Sequence, residues 1–152
     1  MSFGELSQTR RRAWLATIIW AVAGIWFSIA FFSGGGAAEF DTDSGRHLVA
    51  AGAILFGFIV YWSSLWLTRG TSEQVLSDER DFQVVARASQ VALVIVLICV
   101  FLTCTILWTV HEAAGVLEVG WMWFIAYGSM IVGLVSNAVV VLILDRSTFG
   151  HG

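Results

Sequence analysis

Four long apolar runs, each separated from the next by a polar segment, set the plan of this chain. An α-helix rises 1.5 Å per residue and a bilayer's hydrocarbon core is about 30 Å thick, so about 20 apolar residues suffice to cross it. Every run reaches that length. The pattern predicts transmembrane helices over about 13–33, 48–67, 83–110 and 119–144, with 91–110 as the membrane part of the third. The fourth is long enough to cross with some tilt. Residues 1–152 then form a single all-α membrane domain, an integral membrane four-helix bundle built from two transmembrane hairpins.

Composition agrees: 58% of residues are apolar, 12% are charged, and the mean hydropathy is +0.82. A soluble domain carries about a quarter charged residues. The charges that remain are unevenly placed. Arg10, Arg11 and Arg12 precede the first run, Arg69, Arg80 and Arg87 lie between the second and third, and Arg146 follows the fourth. Only Arg46 falls on the opposite side. Loops that stay in the cytoplasm retain basic residues, so both termini are expected there, in a cell inner membrane of bacterial type. The outer loops, about 34–47 and 111–118, then carry Glu39, Asp41, Asp43, Glu112 and Glu118 against Arg46.

Tryptophan fits the same frame, since an indole settles at the headgroup layer with its body apolar and its N–H wet. Trp14, Trp62 and Trp66 fall near the proposed inner interface, and Trp108, Trp121 and Trp123 near the outer one. Trp20 and Trp26 lie inside the first run, where they pack on neighbouring helices or face lipid. The first run itself is longer than the roughly 7 to 15 apolar residues of a signal peptide, so it is read as a retained span rather than a cleaved leader.

Inside the spans there is no Asp, Glu, Lys, Arg or His. Ion-coupled transporters and proton pumps usually place such groups within the bilayer, at a cost that function must justify. The hydroxyls at depth can bond back to their own helix. Cys99 and Cys104 lie five residues apart on one helix, about 7.5 Å in rise and on different faces, so they cannot pair with each other. Asn137 differs from the rest, because an amide in hydrocarbon needs partners that its own helix cannot fully provide. With Ser129 and Gly133 it forms a ridge at four-residue spacing, which predicts close helix packing with Asn137 bonding across the seam. Ala53 and Gly57 give the second span a similar small-residue face.

The most distinctive polar sequence is Ser72 to Gln90, leading into the third span. Ser77 or Asp78 can cap a helix whose first turn holds Asp78, Glu79 and Asp81, where negative charge meets the positive end of the helix dipole. The third helix should therefore begin before the membrane does. Along it Arg80, Gln83, Arg87 and Gln90 fall on one stripe. Capping, with Arg87 reaching to headgroups, accounts for every residue type present. The functional reading of Asp78, Glu79, Arg80, Asp81, Gln83 and Arg87 is an interaction surface for a protein partner. Catalysis by the three carboxylates lacks a local His, Cys or Ser to work with.

Asp78, Glu79, Arg80 and Asp81, followed by Ala86, Arg87, Ala88 and Ala92, resemble a family of uncharacterised bacterial and archaeal predicted membrane proteins with a cytoplasmic Asp-Glu-Arg-Asp/Glu motif before a transmembrane helix. Gln90 stands where members carry a basic or aromatic residue. The resemblance implies a small multi-pass membrane protein of unknown activity and brings no substrate, cofactor or catalytic residue.

The outer loops hold the one metal-like arrangement. Asp41, Asp43 and Gly45 echo the opening of a calcium loop, but Gly52 stands where the twelfth-position glutamate belongs. His47, His111 and Glu112 are weak candidates for zinc or copper if the two loops converge. A net charge of −3 with no basic patch beyond the N-terminal arginines excludes nucleic acid as an expected partner. The sequence thus points to a non-enzymatic accessory, regulatory or interaction component without a cofactor. Its expected partners are the lipid bilayer, a protein docking on residues 72–90, and further copies of itself. A transporter or channel for a neutral or apolar solute and a membrane metal or redox protein are the alternatives.

Overall fold

The computed structural model describes residues 8–40, 42–67 and 79–148. They form α1 (Gln8–Phe32), a short α2 (Ala37–Phe40), α3 (Ser44–Leu67), α4 (Glu79–His111) and α5 (Gly120–Thr148), with no strand among the described residues. The four long helices are each long and apolar enough to cross a membrane. The all-α, four-span architecture expected from the hydropathy pattern is the one the chain adopts.

The helices outrun the apolar stretches, because helix ends are set by caps and not by the edge of the hydrocarbon. Asp43 caps α3: its Oδ1 accepts a hydrogen bond from the Gly45 amide at 2.9 Å, so the helix starts at Ser44, ahead of the apolar run. The 33 residues of α4 span about 50 Å, well beyond the hydrocarbon thickness. Ser77 and Asp78, the expected caps of that helix, lie outside the described residues. α2 was not expected from sequence. It forms where Gly35 and Gly36, at φ of 93° and 69°, turn the chain back after α1.

Consecutive long helices pack as two antiparallel hairpins, α1 with α3 and α4 with α5, and the hairpins join through α1 and α5. α3 and α4 are therefore the outer helices and make at most marginal contact with each other. Small residues permit the close approaches. Ala53 is buried on the α1 side of α3, and a Cβ at Gly57 would meet the Trp20 ring at 3.0 Å. On α5 a Cβ at Gly133 would meet Val96 of α4 at 3.2 Å.

Core composition grades from one end to the other. Where the turns after α1 and α4 lie, Phe27, Phe31, Phe40 and Ile131 are buried, with Trp121, Phe124 and Tyr127 packed around them. Phe31 is fully buried, 4.9 Å from Phe124 and 5.0 Å from Phe40 between ring centroids. At the opposite end, Ala13, Ala88 and Val141 bring α1, α4 and α5 together. Large apolar side chains such as Ile18, Ile25, Leu97 and Phe101 point outward. Exposed hydrocarbon on this scale suits lipid as the surrounding solvent and is rare on soluble monomers.

Candidate functional site

Arg10, Arg11 and Arg12 sit in the first turns of α1, so the ends of the bundle differ in charge. One is the arginine end and the other is the loop end. At the arginine end Glu79, Arg80 and Asp81 form the first turn of α4, and Phe82, Gln83, Val85, Ala86 and Arg87 follow with their side chains exposed. Val84, Ala88 and Ala92, spaced every four residues, form the packed face of the same helix. Phe82 is 75% exposed beside Gln83. Asp78 lies outside the described residues.

The same end carries a groove of about 240 Å³ between the outer helices. Arg12, Ala16 and Trp20 of α1, Tyr61 of α3, Val85 of α4 and Asn137 of α5 are among its walls. Asn137 faces α4, where its Oδ1 lies 3.4 Å from the Ser89 hydroxyl. Ser129, two turns along the same ridge, donates instead to the Ala126 carbonyl of its own helix at 3.0 Å. Gly133 between them supplies the close approach to α4 described above.

The loop end is organised by its single arginine. Arg46 forms ion pairs with Glu39 at 3.4 Å and Asp43 at 3.2 Å, and donates from Nη1 to the Gly34 carbonyl. One guanidinium thereby ties the end of α1 to α2 and to the start of α3. Gly34 lies directly beneath it, in space where any Cβ would collide with the guanidinium. Gly120 is equally confined, because a Cβ there would run into the backbone of Ala37. The start of α5 thus rests on α2.

The three metal candidates at this end occupy different settings. His47 packs on Phe40 at 4.5 Å and Trp123 at 5.3 Å between centroids. His111 bonds through Nδ1 to the Leu107 carbonyl at 3.0 Å and faces Trp121 at 6.3 Å. Glu112 is exposed on the rim of a cleft of about 270 Å³ that His111, Trp108 and Cys104 also line. Among the described residues no group of three or more His, Cys, Asp and Glu stands where it could hold a metal ion. Cys99 and Cys104 are free thiols.

Residues 9–148 match the model of a family described as Predicted membrane protein (DUF2178). The chain belongs to this family. Membership covers all four spans, and with it the identification as a membrane protein of unknown function rests on the whole helical domain and not on the short acidic-basic motif alone. No curated protein and no solved structure matches the chain significantly.

In this family member the sequence marks Asn137, Gln83 and Arg87 but does not group Arg12 and Tyr61 with Asn137. In the sequence Arg12 carries a topology signal through its charge, and Tyr61 is one of several hydroxyls at depth. What relates them is the register in which the two hairpins join: Ala16 of α1 packs with Ala138 of α5, and Tyr61 of α3 lies against the same cluster.

Proposed function

We propose that the protein is a non-enzymatic component of the cytoplasmic membrane, with both termini in the cytoplasm, that acts by binding a protein partner at its arginine end. The observation that carries this reading is the two-faced start of α4. One face packs through Val84, Ala88 and Ala92, while Gln83 and Arg87 stand exposed beside Phe82 and Val85. An aromatic anchor flanked by an arginine and an amide is the composition of an interface centre. The partner that fits is a helix lying at the headgroup layer with a carboxylate for Arg87 and an apolar side chain for Phe82.

The spans themselves support binding rather than chemistry. Thr17, Ser28, Thr103, Thr105 and Thr109 each donate to the carbonyl four residues before them, which satisfies the hydroxyls locally. Arginine bias supports the orientation, since seven of the eight basic residues are on the side assigned to the cytoplasm.

The test is crosslinking in intact cells followed by purification of the adduct, with Arg80→Ala and Arg87→Ala compared with the unsubstituted chain. Loss of the adduct is expected. Unchanged recovery with both arginines removed would sink the reading.

A further inference from the structure

The groove between α3 and α4 has its own chemistry, graded with depth. In the antiparallel packing of α1 and α5, Ala13 meets Val141 and Ala16 meets Ala138, which places Asn137 level with Thr17. Asn137 is then five residues, about 7.5 Å, deeper than Arg12. Tyr61 lies against the Ala16 and Trp20 cluster, at a similar level below the mouth. The groove thus offers a cation at its mouth, two hydrogen-bonding side chains about one turn or more below, and a floor of Ala16, Trp20 and Ala138, all buried.

The polar groups are incompletely served by the protein itself. Nε of Arg12 is buried and has no hydrogen-bond partner. Among the described residues no carboxylate pairs with Arg12; Arg46 makes its ion pairs at the other end of the molecule. Ser89 stands 3.0 Å from the Val85 carbonyl and 3.4 Å from Asn137 Oδ1, and its one hydroxyl proton goes to the shorter contact. Asn137 is left with a weak partner in a medium where unsatisfied amides are costly.

We propose that the groove holds one anionic phospholipid, with its phosphate on the Arg12 guanidinium, its glycerol ester region against Tyr61 and Asn137, and its acyl chains leaving between α3 and α4. Each part of that molecule meets its complement at the right depth. Arginine recognises phosphate through paired N–H donors, and the esters accept from a phenol and an amide. The outer helices, which do not pack on each other, leave a lateral opening to the acyl layer. An arginine at a helix end reaches some headgroup in any bilayer. What sets this site apart from a helix end in bulk lipid is Arg12 standing above two hydrogen-bonding groups, and an anionic lipid is favoured because a choline ammonium beside Arg10, Arg11 and Arg12 would be repelled. Partner docking uses Gln83 and Arg87 on the exposed face of α4, and Val85, a wall of the groove, is the residue the two sites share.

Native mass spectrometry of the full-length chain in neutral detergent, titrated with phosphatidylglycerol or phosphatidylcholine, tests it. One phosphatidylglycerol should survive activation that strips phosphatidylcholine. Arg12→Gln should weaken retention about tenfold, the loss expected for a charge-assisted hydrogen bond. Arg11→Gln removes the same charge outside the groove and should leave retention unchanged. Tyr61→Phe and Asn137→Ala should each weaken it less than Arg12→Gln, and they decide the matter if Arg12→Gln fails to fold by circular dichroism. Excess inorganic phosphate should not displace the lipid. Equal losses in Arg11→Gln and Arg12→Gln would overturn the proposal, as would displacement by phosphate, or full retention in both Tyr61→Phe and Asn137→Ala.

Discussion

The indole of Trp20 lies across Gly57, so close that a Cβ at position 57 would stand 3.0 Å from its Cζ3. Trp20 is 1% exposed and also meets Phe58 edge-on, with 4.8 Å between centroids. The α1–α3 hairpin is therefore keyed by one large residue seated on one missing side chain. Gly57→Leu should lower stability by about 1–3 kcal/mol through overpacking, read as a drop in thermal midpoint in detergent. Trp20→Ala placed in the Gly57→Leu chain should recover part of the loss. The combined loss should fall short of the sum of the two single losses, and simple additivity would show that the two residues do not share one contact.

Arg46 and Gly34 make a second pair whose substitutions should have similar effects. Arg46→Ala removes the tie between α1, α2 and α3, and Gly34→Ala pushes the guanidinium off the same position. Both carboxylate partners are largely exposed, so the global change should stay within about 1 kcal/mol. The local change should be larger: amide exchange in residues 37–47 should speed up in both variants, and in the unsubstituted chain at high salt. Unaltered exchange in Arg46→Ala would show that the loop end is held by its aromatic packing alone.

Orientation is decided by labelling. In a chain carrying Cys99→Ala and Cys104→Ala, an impermeant maleimide added to intact cells should modify Ala114→Cys at the loop end. Thr148→Cys at the arginine end should react only after the membrane is opened. The reverse pattern would place the termini outside.

The four spans were legible in the sequence because crossing a bilayer is a demand on composition and length, which any 20-residue window reveals. The small-residue faces at Ala53, Gly57, Ser129 and Gly133 could be marked for the same kind of reason, since their spacing alone puts them on a helix surface. Which helix each face meets was not legible. In lipid, a side chain that faces a neighbour and one that faces an acyl chain are equally apolar, so the sequence carries no stripe to tell them apart. Trp20, buried to 1%, and Trp26, nearly half exposed, look alike in the sequence. The order of packing, with α3 and α4 left apart, was hidden for that reason, and with it the groove that relates Arg12 to Tyr61 and Asn137. α2 was hidden for another: four residues are too few for a periodic signal, and the helix exists because Arg46 and Gly120 hold it from either side.

We propose that the chain works through the exposed face of α4 at its arginine end. A photoreactive amino acid placed at Gln83, and at Leu117 on the loop end as the comparison, tests it in growing cells. One discrete protein adduct is expected from position 83, none of the same mass from position 117, and loss of the adduct when Arg87→Ala is added. No adduct from position 83, or an adduct indifferent to Arg87→Ala, would contradict it.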